Sequence, residues 1–528
     1  MLSGIWRYLM AVTDKDPTEA IMLVEQTVNT FNQIVVGQEG QMIPVPGYPD
    51  QPTLAERVKQ NLKPSTNAAA SYAAQASASA KAADDAAKLA SQISGLDTVA
   101  DAIGLAALPL PDVWIPFTDL LRMFAGYGRE VKVGDDVIAR YVNFERTTNA
   151  WYFDKMGNLR LAAVNEPRFE SEGLLIEGQS TNIFRWDATR IPADGGSQTS
   201  VTSSKYTGIT AKKITGGSNA LVFGASREQI KNSTIYTATA IIDLDNSNIP
   251  LKRLRLQFAW SANWLNRQVN VDIDGNILST TADTTGTAKR IGNLLIVTAT
   301  TISSVDASTS GGGSLDLFYL NEQGGAQVPQ ADWSLCVVGF QLEEAPGASS
   351  FILTSNAAAT RAADFPYIPR SGNDNYFGQL TVAAEIHLNA AMVSGNVTDA
   401  RRGILSGYPS SAAYEVLMVD PLNSRLAWAY GNASFSGGAN QPALNDQKMH
   451  TIVAQTDIVQ NRCYTDGVEG SVKQPATPVF GADNGTSKDR WHIGYGAGGS
   501  MVRHLWGHIR NLRIWHRALT DSQIKAIR

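Results

Sequence analysis

Leu254-Arg255-Leu256-Gln257-Phe258 and, a few residues on, Val269-Asn270-Val271-Asp272-Ile273 alternate apolar and polar side chains without a break. A period of two puts successive side chains on opposite faces of an extended strand, so each segment has one face for a core and one for a polar layer. Working outward, short apolar runs bounded by turn residues fill the chain from Val131 onward. The turns are Asp135-Asp136, Lys155-Met156-Gly157-Asn158, Asp274-Gly275-Asn276 and Asp466-Gly467. This spacing predicts antiparallel sheets rather than helices over the C-terminal part.

The opposite period governs the N-terminus. Asp16-Pro17-Thr18-Glu19 reads as a helix start, with an acid at the cap, proline at the first helical position and a glutamate that can bond back. Ile21, Val24, Val28, Phe31 and Val35 then recur at steps of three and four, and Gly37 is a natural stop. Pro44, Pro46, Pro49, Pro52 and Pro64 favour an extended strap, broken by a short helix at Thr53 to Leu62. Beyond it, Ala69, Ala73, Ala76, Ala80, Ala83, Ala87 and Ala90 draw a narrow alanine seam down one helix face. Alanine buries too little area to hold a lone helix, so the seam predicts a coiled coil of several chains. The competing reading is an Ala/Ser-rich linker. Pro109, Pro111 and Pro116 end the helical pattern.

The expected fold class is therefore mainly β, with an N-terminal α-helical, coiled-coil stalk followed by two antiparallel β-sandwich, jelly-roll domains. The expected division is 1–62 (anchoring helix and strap), 63–104 (Ala-rich coiled coil), 105–182 (shoulder or linker), 183–367 (first sandwich) and 374–528 (second sandwich). With 528 residues, 43% hydrophobic and 18% charged, the chain can build several cores and is not disordered as a whole. A net charge of −5 without a long basic run argues against binding nucleic acid by phosphate neutralisation. Cys336 and Cys463, expected in different domains as half-buried free thiols, suggest neither a disulfide nor a thiolate metal site. The apolar stretch within Met1 to Thr13 is too short to span a bilayer and shows no cleavage site, so no membrane insertion and no export by that route are expected.

Near the C-terminus, Leu512 and Ile514 share a strand face while Asn511 and Arg513 take the other. Ile509 falls out of that phase, which implies a bulge near Arg510 if it too is buried. Thr520 can cap a helix from Asp521 to Ile527, and Met449–Thr456 with Arg462–Thr465 and the Asp466-Gly467 turn reads as a hairpin.

Three stretches carry a resemblance. Phe144-Glu145-Arg146, Asp154-Lys155-Met156-Gly157-Asn158, Asn165-Glu166-Pro167-Arg168-Phe169 and Gly173-Leu174-Leu175-Ile176-Glu177-Gly178-Gln179-Ser180-Thr181-Asn182 together resemble a shoulder module of bacteriophage tail-fibre and tail-spike proteins. Gly339-Phe340-Gln341-Leu342-Glu343-Glu344, Ser349-Ser350-Phe351-Ile352 and Thr360-Arg361-Ala362-Ala363-Asp364 are similar to the closing strand and exit segment of carbohydrate-binding-like jelly rolls in the same proteins. Gly507 to Thr520 resembles the last strand and terminal helix of a concanavalin A-like, laminin-G-type sandwich. The resemblance implies a tail fibre, a virion protein assembled in the host cytoplasm as a homotrimer. Its N-terminus would meet tail or adaptor proteins and its sandwiches a bacterial surface polysaccharide or other receptor. The alternatives are a structural tail appendage or collar protein and a polysaccharide-depolymerising tail spike.

Candidate chemistry is sparse. No nucleophile elbow surrounds a serine, and Glu343-Glu344 would point to opposite faces of a strand, so no catalytic residue and no enzyme activity are expected. His504 and His508 have a helical chelate spacing but sit in a strand pattern, and Asp272, Asp274 and Asn276 read as a turn rather than a calcium loop. Neither metal nor cofactor is expected. A sugar's apolar face stacks on aromatic rings, which makes Trp260, Trp264, Tyr408, Trp428, Tyr430, Trp491 and Tyr495 the candidate glycan-binding residues. The competing assignment for each of them is core packing.

Overall fold

The computed structural model describes residues 17–60, 71–82, 108–190, 196–225, 231–260, 265–303, 313–374, 379–389, 402–407, 416–420, 425–429, 436–437, 440–457, 459–472, 490–498 and 501–527. They divide into two units, Met1–Leu105 and Ala106–Arg528.

In the first unit the expected helix is Pro17–Val36. It stops at Gly37, whose amide donates to the Gln33 carbonyl at 2.9 Å and where a Cβ would stand 2.4 Å from that same oxygen. The strap is a hairpin of Met42–Val45 against Tyr48–Pro52, followed by helix 54–60, which Thr53 caps through Oγ1 to the Glu56 amide. Ile21, Val24, Val28, Phe31 and Val35 are all exposed on the single chain. Residues 71–82 are helical and carry Ala73, Ala76 and Ala80 on exposed positions, while Ala69, Ala83, Ala87 and Ala90 lie outside the described residues. A helix in one chain is not a coiled coil, and the stalk stays a proposal.

The second unit is built from antiparallel sheets, as the alternation requires. In the first sandwich a seven-stranded sheet containing Arg253–Trp260 and Leu265–Asp272 faces a six-stranded sheet centred on Ile235–Asn248, Leu294–Ile302 and Ser334–Glu343. Leu254, Leu256, Phe258, Val269 and Val271 are buried in the shared core with Phe223, Phe340 and Trp333. The Asp272–Asn276 loop is the expected turn: the Asp272 carboxylate accepts from the amides of Asp274 and Asn276, and Gly275 takes a φ of 93°.

The second sandwich is not one continuous stretch. Its eight-stranded sheet takes Val113–Ile115, Arg168–Glu170 and Gly173–Ile176 from early in the chain and pairs them with Gly507–Trp515, Gln379–Leu388 and Met449–Asp457. The facing seven-stranded sheet likewise takes Asn143–Glu145 against Phe365–Pro369. The chain thus starts this sandwich, leaves it to fold the first one as an insertion, and returns; a ladder of Ser180–Asn182 against Ala359–Arg361 ties exit to return. The stretch expected as a separate shoulder, 105–182, supplies strands to the sandwich that was expected to begin at 374. Local signals marked extended chain from Val131 onward and did not mark Val113–Ile115, and pairing across some 340 residues leaves no local trace.

The expected bulge near Arg510 is present. Against Gln379–Leu388, Ala383 pairs with Arg513 and Glu385 with Arg510, so one strand holds an extra residue, with Asn511 at a φ of 55°. The bulge lets Ile509, Leu512 and Ile514 all enter one core. Thr520 caps helix Asp521–Lys525 in a reciprocal capping box with Gln523.

Where the insertion leaves and returns, charges are buried. Arg146, Arg168, Arg361, Glu177 and Asp364 are each at most 2% exposed. Asp364 meets Arg146 at 3.1 Å and Arg168 at 2.5 Å, and it accepts the Glu177 amide at 2.9 Å. Glu177 meets Arg168 at 2.8 Å and Arg361 at 3.4 Å and takes the Ser350 amide and hydroxyl at 2.7 and 2.6 Å. Burial opposes its ionisation, yet Arg361, Arg168 and Ser350 outweigh that and hold its pKa down to about 2. Next to it, Glu343 accepts from Ser180, Ser349 and Gln341, and Asn182 bridges the Phe340 and Ile352 carbonyls. Glu344 points the other way, to solvent and Lys231, as the strand alternation requires. Removing one partner of a buried ion pair strands the other, at a cost of roughly 3–5 kcal/mol. Asp364→Ala is therefore expected to lower the unfolding free energy by about that amount, far more than Glu344→Ala, as measured by denaturant titration.

Candidate functional site

The insertion creates a cleft of about 310 Å³ between the two sandwiches. One wall comes from the six-stranded sheet, through Thr239, Thr287, Thr298 and Lys289; the opposite wall carries Glu170, Glu172, His387, Asn389 and His508; Tyr152, Phe153 and Phe351 add apolar surface. It is the concave, mostly apolar hollow with a few converging polar groups that small ligands favour.

Register explains the polar wall. His387 and His508 are directly opposite residues of neighbouring strands, and on the other side of His508 stands Leu175, two residues after Gly173. Their rings lie 5.5 Å apart. Gly173 has a φ of 127°, and a Cβ there would meet the Ile509 carbonyl at 2.6 Å, so glycine alone lets the turn carrying Glu170 and Glu172 press onto the histidine strand. Glu170 takes the Phe153 amide at 2.9 Å with one oxygen and meets His508 Nε2 at 2.9 Å with the other. Burial opposes ionisation of Glu170, but His508 and the Phe153 amide overcome it and hold the carboxyl below its usual range. Glu172 is also held low, against burial, chiefly by the Ser171 hydroxyl. His387 Nε2 lies 3.0 Å from the Gln447 carbonyl, which can only accept, so the proton sits on Nε2. Burial, then the neighbouring His508, lowers the pKa of His387 and favours its neutral form.

The aromatic residues expected to bind glycan do not gather here. Trp428 and Trp491 are fully buried in the core of the second sandwich, so neither can offer a face to a sugar. Core packing won because both lie on inward positions of strands Arg425–Ala429 and Arg490–Ile493. Tyr495 packs edge-on to Phe365 and His492 and beside His504, an aromatic cluster rather than an open platform. Trp260 ends a strand of the first sandwich, and the description does not extend to its side chain. Trp264, Tyr408 and Tyr430 lie outside the described residues. His504 and His508 are not a pair: they lie on different strands, Met501–His504 and Gly507–Trp515. The cross-strand partner of His508 was missed because nothing local links residues 387 and 508. Neither cysteine is in a disulfide, and both are fully buried, deeper than expected.

Residues 354–525 match the laminin-G-type family of the concanavalin A-like lectin/glucanases superfamily. The second sandwich is a lectin-like domain. Among solved structures, the chain is similar to the CBM40 of the IT-sialidase of Ruminococcus gnavus (15% identity, 28% of this chain and 82% of that one, TM-score 0.23). It is also similar to domain 4 of a GH43 extracellular arabinanase from Geobacillus stearothermophilus (15%, 34% and 81%, 0.21) and to a carbohydrate-binding protein described from Bacteroides ovatus (10%, 66% and 83%, 0.22). At TM-scores this low the likenesses carry no argument about function. No curated protein matches the chain.

Behind the cleft, His450 is clamped between Asp466 at 2.7 Å and Asp446 at 2.8 Å, which fixes the loop carrying Gln447. Burial works against its protonation, but the bonds to Asp466 and Asp446 prevail and raise its pKa. A raised folded pKa gives stability that is complete below the ordinary value of 6.5 and lost as pH climbs through the folded value. The melting temperature of His450→Gln is accordingly expected to fall further below wild type at pH 5.5 than at pH 8.5, a comparison that differential scanning fluorimetry makes directly.

Proposed function

We propose that this chain is a bacteriophage tail-fibre protein, assembled as a homotrimer, that recognises a glycan on the bacterial surface and does not cleave it. The observation that carries the recognition part is the cleft itself: a lectin-class sandwich, completed by strands from 113–176, closes against the inserted first sandwich around a hollow lined by rings, amides and charges. Hydroxyls of a sugar can bond to Asn389, Glu172 and Lys289 while its apolar face lies on Tyr152 or Phe153. The tail-fibre part rests on the resemblance of the motifs at 144–182 and 339–364 and on the N-terminal helix. Its exposed row of Ile21, Val24, Val28, Phe31 and Val35 is what a helix presents when partner copies are to cover it. Three tips binding weakly together give useful avidity. Tail or adaptor proteins would hold the other end, which places the protein in the virion.

Cleavage of the glycan is the less favoured reading. The cleft does hold several carboxylates, which a glycosidase needs, but one of them must keep a proton at working pH. Glu170, Glu172 and Glu177 are all held below the ordinary carboxyl range. Glu343 is pushed up by burial, yet it is sealed beneath Ser180, Ser349 and Gln341 and does not line the cleft.

Full-length protein is expected to adsorb to host cells and to be retained on an array of bacterial surface glycans. Tyr152→Ala should weaken retention at least tenfold with little change in melting temperature, and loss of neither cell binding nor glycan retention would transfer the receptor site elsewhere. On the assembly side, Val28→Glu with Phe31→Glu should reduce the mass measured by light scattering toward that of one chain, leaving the β-rich circular dichroism spectrum intact. A wild-type chain that is already monomeric would remove the trimer.

A further inference from the structure

Glu170, Glu172 and His508 each offer a ligating atom, and these atoms all lie within 4.8 Å of one another. All three residues line the cleft between the sandwiches. Two carboxylates and one imidazole at this spacing have the donor types and the charge to hold a divalent ion, with ligand distances near 2.0–2.2 Å for zinc. Two further observations set the cluster apart from an ordinary ion pair. His508 is only 4% exposed, and its Nδ1, though buried, has no hydrogen-bond partner among the described residues. His387, directly across the strand pair, leaves its own buried Nδ1 without a partner too, while its Nε2 is occupied by the Gln447 carbonyl. Buried polar atoms left unpaired are costly and call for an explanation, and both imidazoles line the cleft beside the two carboxylates.

We propose that Glu170, Glu172 and His508 bind one divalent transition-metal ion of the zinc class in the wall of the cleft. The ion takes the place of the single proton now shared between His508 Nε2 and the Glu170 carboxylate. Nitrogen in the donor set selects zinc-like ions over calcium, which prefers six to eight oxygens. With three protein ligands, the remaining coordination position opens on the cleft, where water or an oxygen of a bound molecule can fill it. Lys289 also faces the cleft, and it is exposed enough to swing away when the ion enters. The Gly173 turn acts as the positioning element, because it alone brings the two glutamates onto the histidine strand. The assignment stands on these residues and holds whether or not the cleft takes sugar.

Isothermal titration of chelator-stripped, full-length protein with Zn²⁺ tests it. The expected result is one equivalent bound per chain, with Glu172→Gln weakening binding at least tenfold and His508→Asn abolishing it. Among the described residues the Glu172 carboxylate bonds to the neighbouring Ser171 hydroxyl and to its own backbone amide and to no distant element, so Glu172→Gln keeps the fold and decides the matter even if His508→Asn does not fold. His450→Gln, which removes the other histidine clamped by two acids, should leave the stoichiometry at one. Absence of Zn²⁺ binding, unchanged binding in Glu172→Gln, loss of the equivalent in His450→Gln, or a preference for Ca²⁺ over Zn²⁺ would each overturn the assignment.

Discussion

Five buried charges, three guanidinium groups and two carboxylates, hold the insertion to its host sandwich. Arg146, Arg168, Glu177, Arg361 and Asp364 come from before the insertion and from after it, so they can be neutralised only when both ends of the inserted domain are in register. A buried guanidinium is costly alone and acceptable only with its carboxylates placed to within a few tenths of an ångström. The network therefore acts as a selector of geometry rather than as a source of large net stability. Ser180–Asn182 and Ala359–Arg361 form the ladder beside it, and Glu343 with its serine and glutamine partners extends the polar layer into the first sandwich.

From that fixed junction the cleft follows. Its two walls belong to different sandwiches, and their spacing depends on how the connecting segments leave the junction. Residue Glu177 belongs to both: it is a member of the charge network and a lining residue of the hollow. The turn at Gly173 lies beside the histidine strand and the bulge at Asn511 lies within it, one pressing acids onto the strand and the other rotating its apolar residues into the core. Both are places where the backbone takes a left-handed φ, and both serve the same strand.

Much of the local structure was legible. The two-residue alternation at 254–258 and 269–273, the turn at Asp272–Asn276, the helix from Pro17 with its stop at Gly37, the bulge implied by the phase of Ile509 and the cap at Thr520 all follow from interactions within a few residues. The motifs at 144–182 and 339–364 were also visible as specific text. Their role was not, because a run such as Thr360-Arg361-Ala362-Ala363-Asp364 gives no sign that its arginine and aspartate will face Glu177 and Arg168. The aromatic candidates show the same limit: Trp428 and Trp491 look identical in sequence to exposed sugar platforms, and burial is decided by which sheet covers them.

The order of residues alone carried the periods, and with them the element types, the turns, the caps and the antiparallel, mainly β character of the second unit. Those depend on steric and hydrogen-bonding preferences that act over one or two turns of chain. It took the folded chain to reveal that one sandwich interrupts the other, that strands from 113–176 complete the later domain, and that Glu170, Glu172, His387 and His508 share one wall. Contacts between residues hundreds of positions apart are set by shape matching and by the need to neutralise buried charge, neither of which leaves a periodic mark on the chain.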